Sequence, residues 1–351
     1  MNSQKTFAWL LFALAIAFAP HALRAAPATT PVAPHKVGQE ASETTRPPVT
    51  ALTVMFPELA AQSPDAHRAH RHSVAFKTLI TDVADGRLDN HSLLEASVVA
   101  SRITNADVRE EVTQRMTAAV TCLRDRLAET AETHERAAII HAYLHDHLFT
   151  GQYRLSASDL GTVFESGDFN CVSATLLYCH LCTELNVECQ LVAWRDHVAC
   201  RVIGSRSTVA VETTCPDWFA PRAAIATDVS AIRSTPGFAK RQGSRRIVSE
   251  PQLLALIDYN RSVELLQAKQ HLAAMRASHR ALQFDPKSSA SWSNFLAAVN
   301  NLALAQCRQG DHRSALDLLR RGRAVAPTFS AFDANDGYVR RQLREANLQR
   351  G

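Results

Sequence analysis

The run Gly167-Asp168-Phe169-Asn170-Cys171-Val172-Ser173-Ala174-Thr175 decides how the rest of this 351-residue chain is read. Gly167 to Asn170 is loop-forming, and the residues from Cys171 to Leu185 read as a helix, so Cys171 stands at a loop-to-helix junction. The first N–H groups of a helix have no partner within it, and the helix dipole puts partial positive charge there. Both effects favour thiolate over thiol, so Cys171 is expected to be more acidic than a free thiol. The same N–H groups are suited to hold an oxyanion that develops on a substrate carbonyl. The inner face of the helix is expected to carry Val172, Leu176, Cys179 and either Cys182 or Thr183.

Three short runs follow that read as strands, 189–194, 197–203 and 208–214, with Gly204 and Ser205 marking a tight turn between the last two. A thiolate alone is not an acyl-transfer catalyst, because a leaving amine must receive a proton; histidine can supply it near neutral pH. His197 opens the second strand, and Glu212 lies in the third. If the hairpin closes about residues 205 and 206, Ala199 faces Glu212 and His197 faces Thr214. His197 and Glu212 are then diagonal neighbours on one face, about 7–8 Å apart at the backbone, within reach of a glutamate side chain. A register slip of one residue would send Glu212 to the opposite face.

In this order the residues resemble the transglutaminase-like branch of papain-like cysteine enzymes. The likeness is carried by Asn170 to Thr175, by Asp196-His197-Val198-Ala199 and by Val211-Glu212-Thr213-Thr214, and it covers roughly residues 130–220. The resemblance implies an α+β core, a helix-borne nucleophile at Cys171, a general base and acid at His197, and an orienting acid at Glu212. It implies a peptide or protein substrate and no cofactor. Two departures stand out: the acid in that superfamily is most often Asp, and Arg195 and Asp196 precede His197 where many relatives carry a small residue. Asp196 is a rival polar partner for His197. Gln152 and Tyr153 lie upstream in loop positions that suit an oxyanion-hole side chain, without either being singled out. The competing reading is a scaffold that keeps this fold without the chemistry, since a Cys that starts a helix is often simply packed.

Other elements frame this segment. Helical signals fill 73–148: Asn105 is placed to cap a helix carrying Val108, Val112, Met116, Val120, Leu123 and Leu127, and a second stripe comprises Ile139, Ile140, Tyr143, Leu144 and Leu148. His141 and His145 are one turn apart, a spacing zinc ligands use, but no third ligand is evident and packing is preferred; no metal is expected. Cys179-His180-Leu181-Cys182 has a redox-like spacing, yet both thiols fall inside a helix and read as core.

Beyond residue 250 the pattern is helical again. Ala274, Ala281 and Pro286 recur in spacing as Ala315, Gly322 and Pro327, small residues where helices approach closely and a proline after each helix. These resemble the tetratricopeptide repeat, although the prolines are 41 residues apart where that family uses about 34. The resemblance implies a C-terminal α-helical repeat domain that binds a protein partner.

The organisation expected is therefore an export signal at 1–28, a disordered linker at 29–50, a helical region with the transglutaminase-like domain at 51–220, a basic linker at 221–250 and helical repeats at 251–345. The signal rests on Lys5, the apolar run Phe7 to Ala19 and small residues at Ala25, Ala26 and Ala28, with an uncleaved anchor as the alternative. An exported protein, periplasmic or secreted, is expected, with no transmembrane segment after signal removal. With 46% hydrophobic and 21% charged residues the chain can bury a core. The net charge of +4 is too small and too dispersed for nucleic-acid binding, so none is expected.

Overall fold

A computed structural model describes residues 46–59, 66–194, 197–205, 208–219 and 245–349. The expected export signal, most of the linker after it, Asp196 and residues 220–244 of the basic segment lie outside these. The chain is mostly helical with one small antiparallel sheet, an α+β architecture. It forms two units: 66–257 among the described residues of one, and 46–59 with 258–349 of the other.

In the first unit, α2 (Ala66–Asp82), α3 (Leu93–Ala100), α4 (Ala106–Leu127), α5 (Thr133–His147) and α6 (Leu160–Ser166) precede the central helix α7 (Cys171–Glu184). Asn105 caps α4 as its position predicts, its side chain accepting from the Asp107 N–H at 3.0 Å. The stripe from Val112 to Leu127 is buried, as are Ile140 and Leu144 of α5.

Helix α7 departs from the expectation of one inner face. Every residue from Cys171 to Cys182 is buried. The helix touches the sheet on one side and α3, α4 and α5 on others, so no side of this stretch is left to water. Even the Tyr178 hydroxyl finds a partner, donating to the Ala137 carbonyl at 3.2 Å.

The sheet runs β3 (Thr208–Val211), β2 (Val198–Ile203), β1 (Cys189–Ala193), β4 (Arg246–Ile247) across its width. Cys200 pairs with Val211 and Arg201 with Ala210, so one further step sets Ala199 across from Glu212, the register the turn residues predict. The strands are shorter than the sequence predicts. β3 ends before Glu212 because side chains, not strand neighbours, take over its backbone groups: the Glu212 and Thr213 carbonyls accept from His141 and His145. β4 falls within the stretch expected to be a basic linker. It occupies the free edge of β1, pairing Ile247 with Val192, and buries Val248 beside it.

The second unit comprises α1 (Val49–Met55), the C-terminal part of α8 (Glu250–Gln267), α9 (His271–Phe284), α10 (Ser289–Arg308), α11 (His312–Val325) and α12 (Ala331–Leu348). Consecutive helices from α9 onward pack on one another. Sequence reading groups the chain from residue 51 with the first unit; α1 and the turn Pro57–Leu59 instead pack on α9. Phe56 meets Phe295 edge-on at 5.4 Å, and Glu58 pairs through both carboxylate oxygens with Arg321 at 2.6 and 2.8 Å. Ala274, Ala281 and Ala315 are fully buried. A Cβ added at Gly322 would stand 2.5 Å from the Phe332 ring, so that approach of α11 and α12 requires glycine. α10 has 20 residues, which accounts for much of the long spacing between the two prolines. Among the described residues, no helix is long and apolar enough to cross a membrane.

Candidate active site

The loop before Cys171 is built to fix one atom position. Gly167 ends α6 in the left-handed region at φ 75°, and a Cβ there would lie 2.4 Å from Thr150 Oγ1 and 2.8 Å from the Gly151 nitrogen. Asp168 then accepts from the Gln152 N–H at 2.7 Å and pairs with Arg154, while Phe169 bridges Tyr153. Asn170 caps α7: its Oδ1 accepts from Val172 N–H at 2.8 Å and Ser173 N–H at 3.3 Å. Its amide donates to Ser158 Oγ at 2.7 Å and the Leu155 carbonyl at 2.9 Å. Ser173 closes the capping box, accepting from Asn170 N–H at 3.0 Å and donating to the Ala157 carbonyl at 2.7 Å.

This network changes which donors can serve an oxyanion. The Val172 and Ser173 N–H groups, expected to be free, are taken by Asn170, and the Ala174 N–H bonds the Asn170 carbonyl at 3.0 Å. The Cys171 N–H is the one first-turn donor with no acceptor among the described residues. Gln152 has an exposed side chain, and the Tyr153 ring rests edge-on against Phe169 at 6.2 Å.

His197, Glu212 and Cys171, far apart along the chain, meet at this helix terminus. His197 Nε2 lies 2.7 Å from Glu212 Oε2, and the Cys171 thiol is the other side-chain group acting on the ring. Thr214 anchors the other carboxylate oxygen, its hydroxyl donating to Oε1 at 2.7 Å and its N–H at 3.4 Å. Cys171 is 8% exposed, His197 8% and Glu212 9%, so charge within the cluster is poorly screened. Burial alone would depress the His197 pKa; the negative charges of Glu212 and Cys171, with their hydrogen bonds, raise it instead to about 9. Burial opposes ionisation of Cys171, but the His197 charge, the bond to its ring and one from the Val198 N–H bring the thiol below its ordinary value. The two shifts act in the same direction, both favouring a thiolate–imidazolium pair over the neutral pair.

Supporting residues that sequence reading missed lie behind the triad. His141 Nε2 donates to the Glu212 carbonyl at 3.3 Å, and His145 Nε2 to the Thr213 carbonyl at 3.1 Å. Their ring centroids are 4.5 Å apart. Burial and the charge of its neighbour depress His141 to about 4, and burial also lowers His145, so both rings are neutral N–H donors at physiological pH. Thr175 of α7 meets Thr213 at 3.1 Å between hydroxyl oxygens. The one-turn spacing of His141 and His145 was the available signal; it marks two rings aimed at the strand end. Comparison with family models, curated proteins and solved structures returned no match. Trp194 flanks the site, its ring centroid 5.8 Å from that of His197 and its backbone N–H donating to the His197 carbonyl at 2.8 Å.

Proposed function

We propose that this protein is an exported cysteine enzyme of transglutaminase-like type that performs acyl transfer or amide hydrolysis. The observation that carries the reading is the convergence of three buried groups, the His197 ring 2.7 Å from Glu212 and coupled electrostatically to the thiol of Cys171 at the start of α7. Support for the papain-like core comes from a buried helix that opens on cysteine and packs against antiparallel strands whose ends present the histidine and then the acid.

In this mechanism the Cys171 thiolate attacks a peptide or side-chain amide carbonyl, and the Cys171 N–H donates to the oxyanion. The imidazolium Nδ1–H gives its proton to the departing amine, leaving a thioester on sulfur. His197, now neutral, takes a proton from water or from an acceptor amine as it attacks, and the thiolate is regenerated. Glu212 holds the ring through Nε2–H and offsets its positive charge throughout. The spacing of Ala274, Ala281 and Pro286, repeated at Ala315, Gly322 and Pro327, supports a tetratricopeptide-like helical domain that binds a protein partner.

The 8% exposure of Cys171 favours a second reading, a catalytically silent scaffold. Labelling with iodoacetamide near pH 6 separates the two. The enzyme reading expects selective modification of Cys171, lost in His197→Ala; slow, uniform labelling of several cysteines selects the scaffold.

A further inference from the structure

Two turns along α7 from the nucleophile lies a second cluster of sulfur atoms that the triad does not use. Cys179 and Cys182 stand three residues apart on the helix and therefore on one side of it. In the sheet, Cys189 pairs with Val202 and Leu191 with Cys200, so Cys189 and Cys200 are diagonal neighbours on one face of β1 and β2. Cys179 Sγ lies 3.1 Å from Cys189 Sγ and 3.3 Å from Cys200 Sγ. All three sulfurs fall within 4.8 Å of one another. Cys182, one turn further along the same helix, approaches Cys189 but stands outside the close group that the other three sulfurs form.

We propose that Cys179, Cys189 and Cys200 hold one zinc ion that clamps α7 to β1 and β2, with Cys182, one turn along the helix, turning in to supply the fourth thiolate. A thiolate–zinc bond of about 2.3 Å in a tetrahedron sets sulfurs about 3.8 Å apart. Two of the contacts among Cys179, Cys189 and Cys200, at 3.1 and 3.3 Å, lie a little inside that spacing, and all three sulfurs are close enough to share one ion. An iron–sulfur cluster would interpose its own atoms and need its ligands more widely spread. Disulfides fit less well. Diagonal Cα atoms about 7–8 Å apart exceed the reach of a bridge between Cys189 and Cys200. A single bridge from Cys179 would leave two thiols buried against it, whereas a metal employs all four. On binding, the four thiols lose their protons to solvent and each sulfur donates a pair to zinc. The ion would lie about 12 Å along the helix from Cys171, at a rise of about 1.5 Å per residue, too far to touch substrate. Its effect is to fix the helix that carries the nucleophile against the strand that follows His197.

The test uses the full chain purified under reducing conditions with zinc supplied, then dialysed. About one zinc ion per chain by elemental analysis is expected, lost in Cys200→Ser and in Cys189→Ser and retained in Cys122→Ser and Cys307→Ser. Because the first two variants can fail to fold, cobalt(II) is also exchanged into the unmutated protein, where thiolate-to-cobalt charge transfer and the visible bands of a tetrahedral sulfur site are expected. Folded protein that retains no zinc, zinc that persists in both cluster variants, or an intact mass lower by two hydrogens with a bridge mapped within the cluster would each overturn the proposal.

Discussion

Replacing Glu212 by Gln isolates the electrostatic part of the triad, because the amide keeps the shape of the carboxylate. Its carbonyl can still accept from the His197 Nε2–H, and its NH2 can bond Thr214 in place of the 2.7 Å contact to Oε1. What disappears is the charge. The imidazole stands at about 9 against an ordinary 6.5, a preference for imidazolium of about 3 kcal/mol at about 1.4 kcal/mol per pH unit. The Glu212 charge is the largest influence raising it, ahead of Cys171, so at least about a third of that preference should vanish with it, about 1 kcal/mol or more. Since the thiolate depends on the imidazolium, the fraction of ion pair near pH 6 should drop by about tenfold. The assay is the pH dependence of iodoacetamide inactivation, with the Cys171 adduct quantified by peptide mass spectrometry. Glu212→Gln should shift the acid limb to higher pH and the alkaline limb, set by imidazolium loss near 9, to lower pH. A profile superimposable on that of the unmutated protein would show that the carboxylate does not hold the ion pair together, and the reasoning would fail.

Stability should peak near pH 6.5 in a thermal-melt series. His197 is raised to about 9 in the fold, so its contribution is complete below 6.5 and lost as pH rises through about 9. Burial depresses His141, and His279 of α9, to about 4, so theirs are complete above 6.5 and lost as pH falls through about 4; a melting temperature still climbing from 6.5 to 9 would contradict the His197 assignment, and one that falls from 4 to 6.5 the other two. Asn170→Ala removes the α7 cap, for an expected loss of about 1–2 kcal/mol by urea titration; an unchanged midpoint would deny the cap its role. Gly322→Ala forces a methyl against the Phe332 ring, whose atoms lie 2.5–2.9 Å from the new carbon, and should cost about 1–3 kcal/mol; a neutral substitution would mean that the α11–α12 contact yields freely.

Cys171, His197 and Glu212 could be singled out in advance because each depends on local chemistry: a helix start, a strand start and a hairpin register with period two. The register was readable because Gly204 and Ser205 fix where the chain reverses, and the pairing of Cys200 with Val211 follows from that. Strand lengths were not readable. The end of β3 depends on His141 and His145, some seventy positions upstream, whose sequence spacing favours packing without saying against what.

Sequence alone, then, determined element type and order, the helix-terminal cysteine and the small-residue spacing of the C-terminal helices, all of which rest on interactions between residues near one another in the chain. Tertiary structure decided the rest. It buried α7 on every side, gave two of the first-turn N–H groups to Asn170, moved Val49–Leu59 onto the C-terminal unit and drew three cysteines from a helix and two strands together. Those outcomes depend on which surfaces close against which, and the burial of apolar area that drives closure is non-directional, so no local pattern encodes the partner.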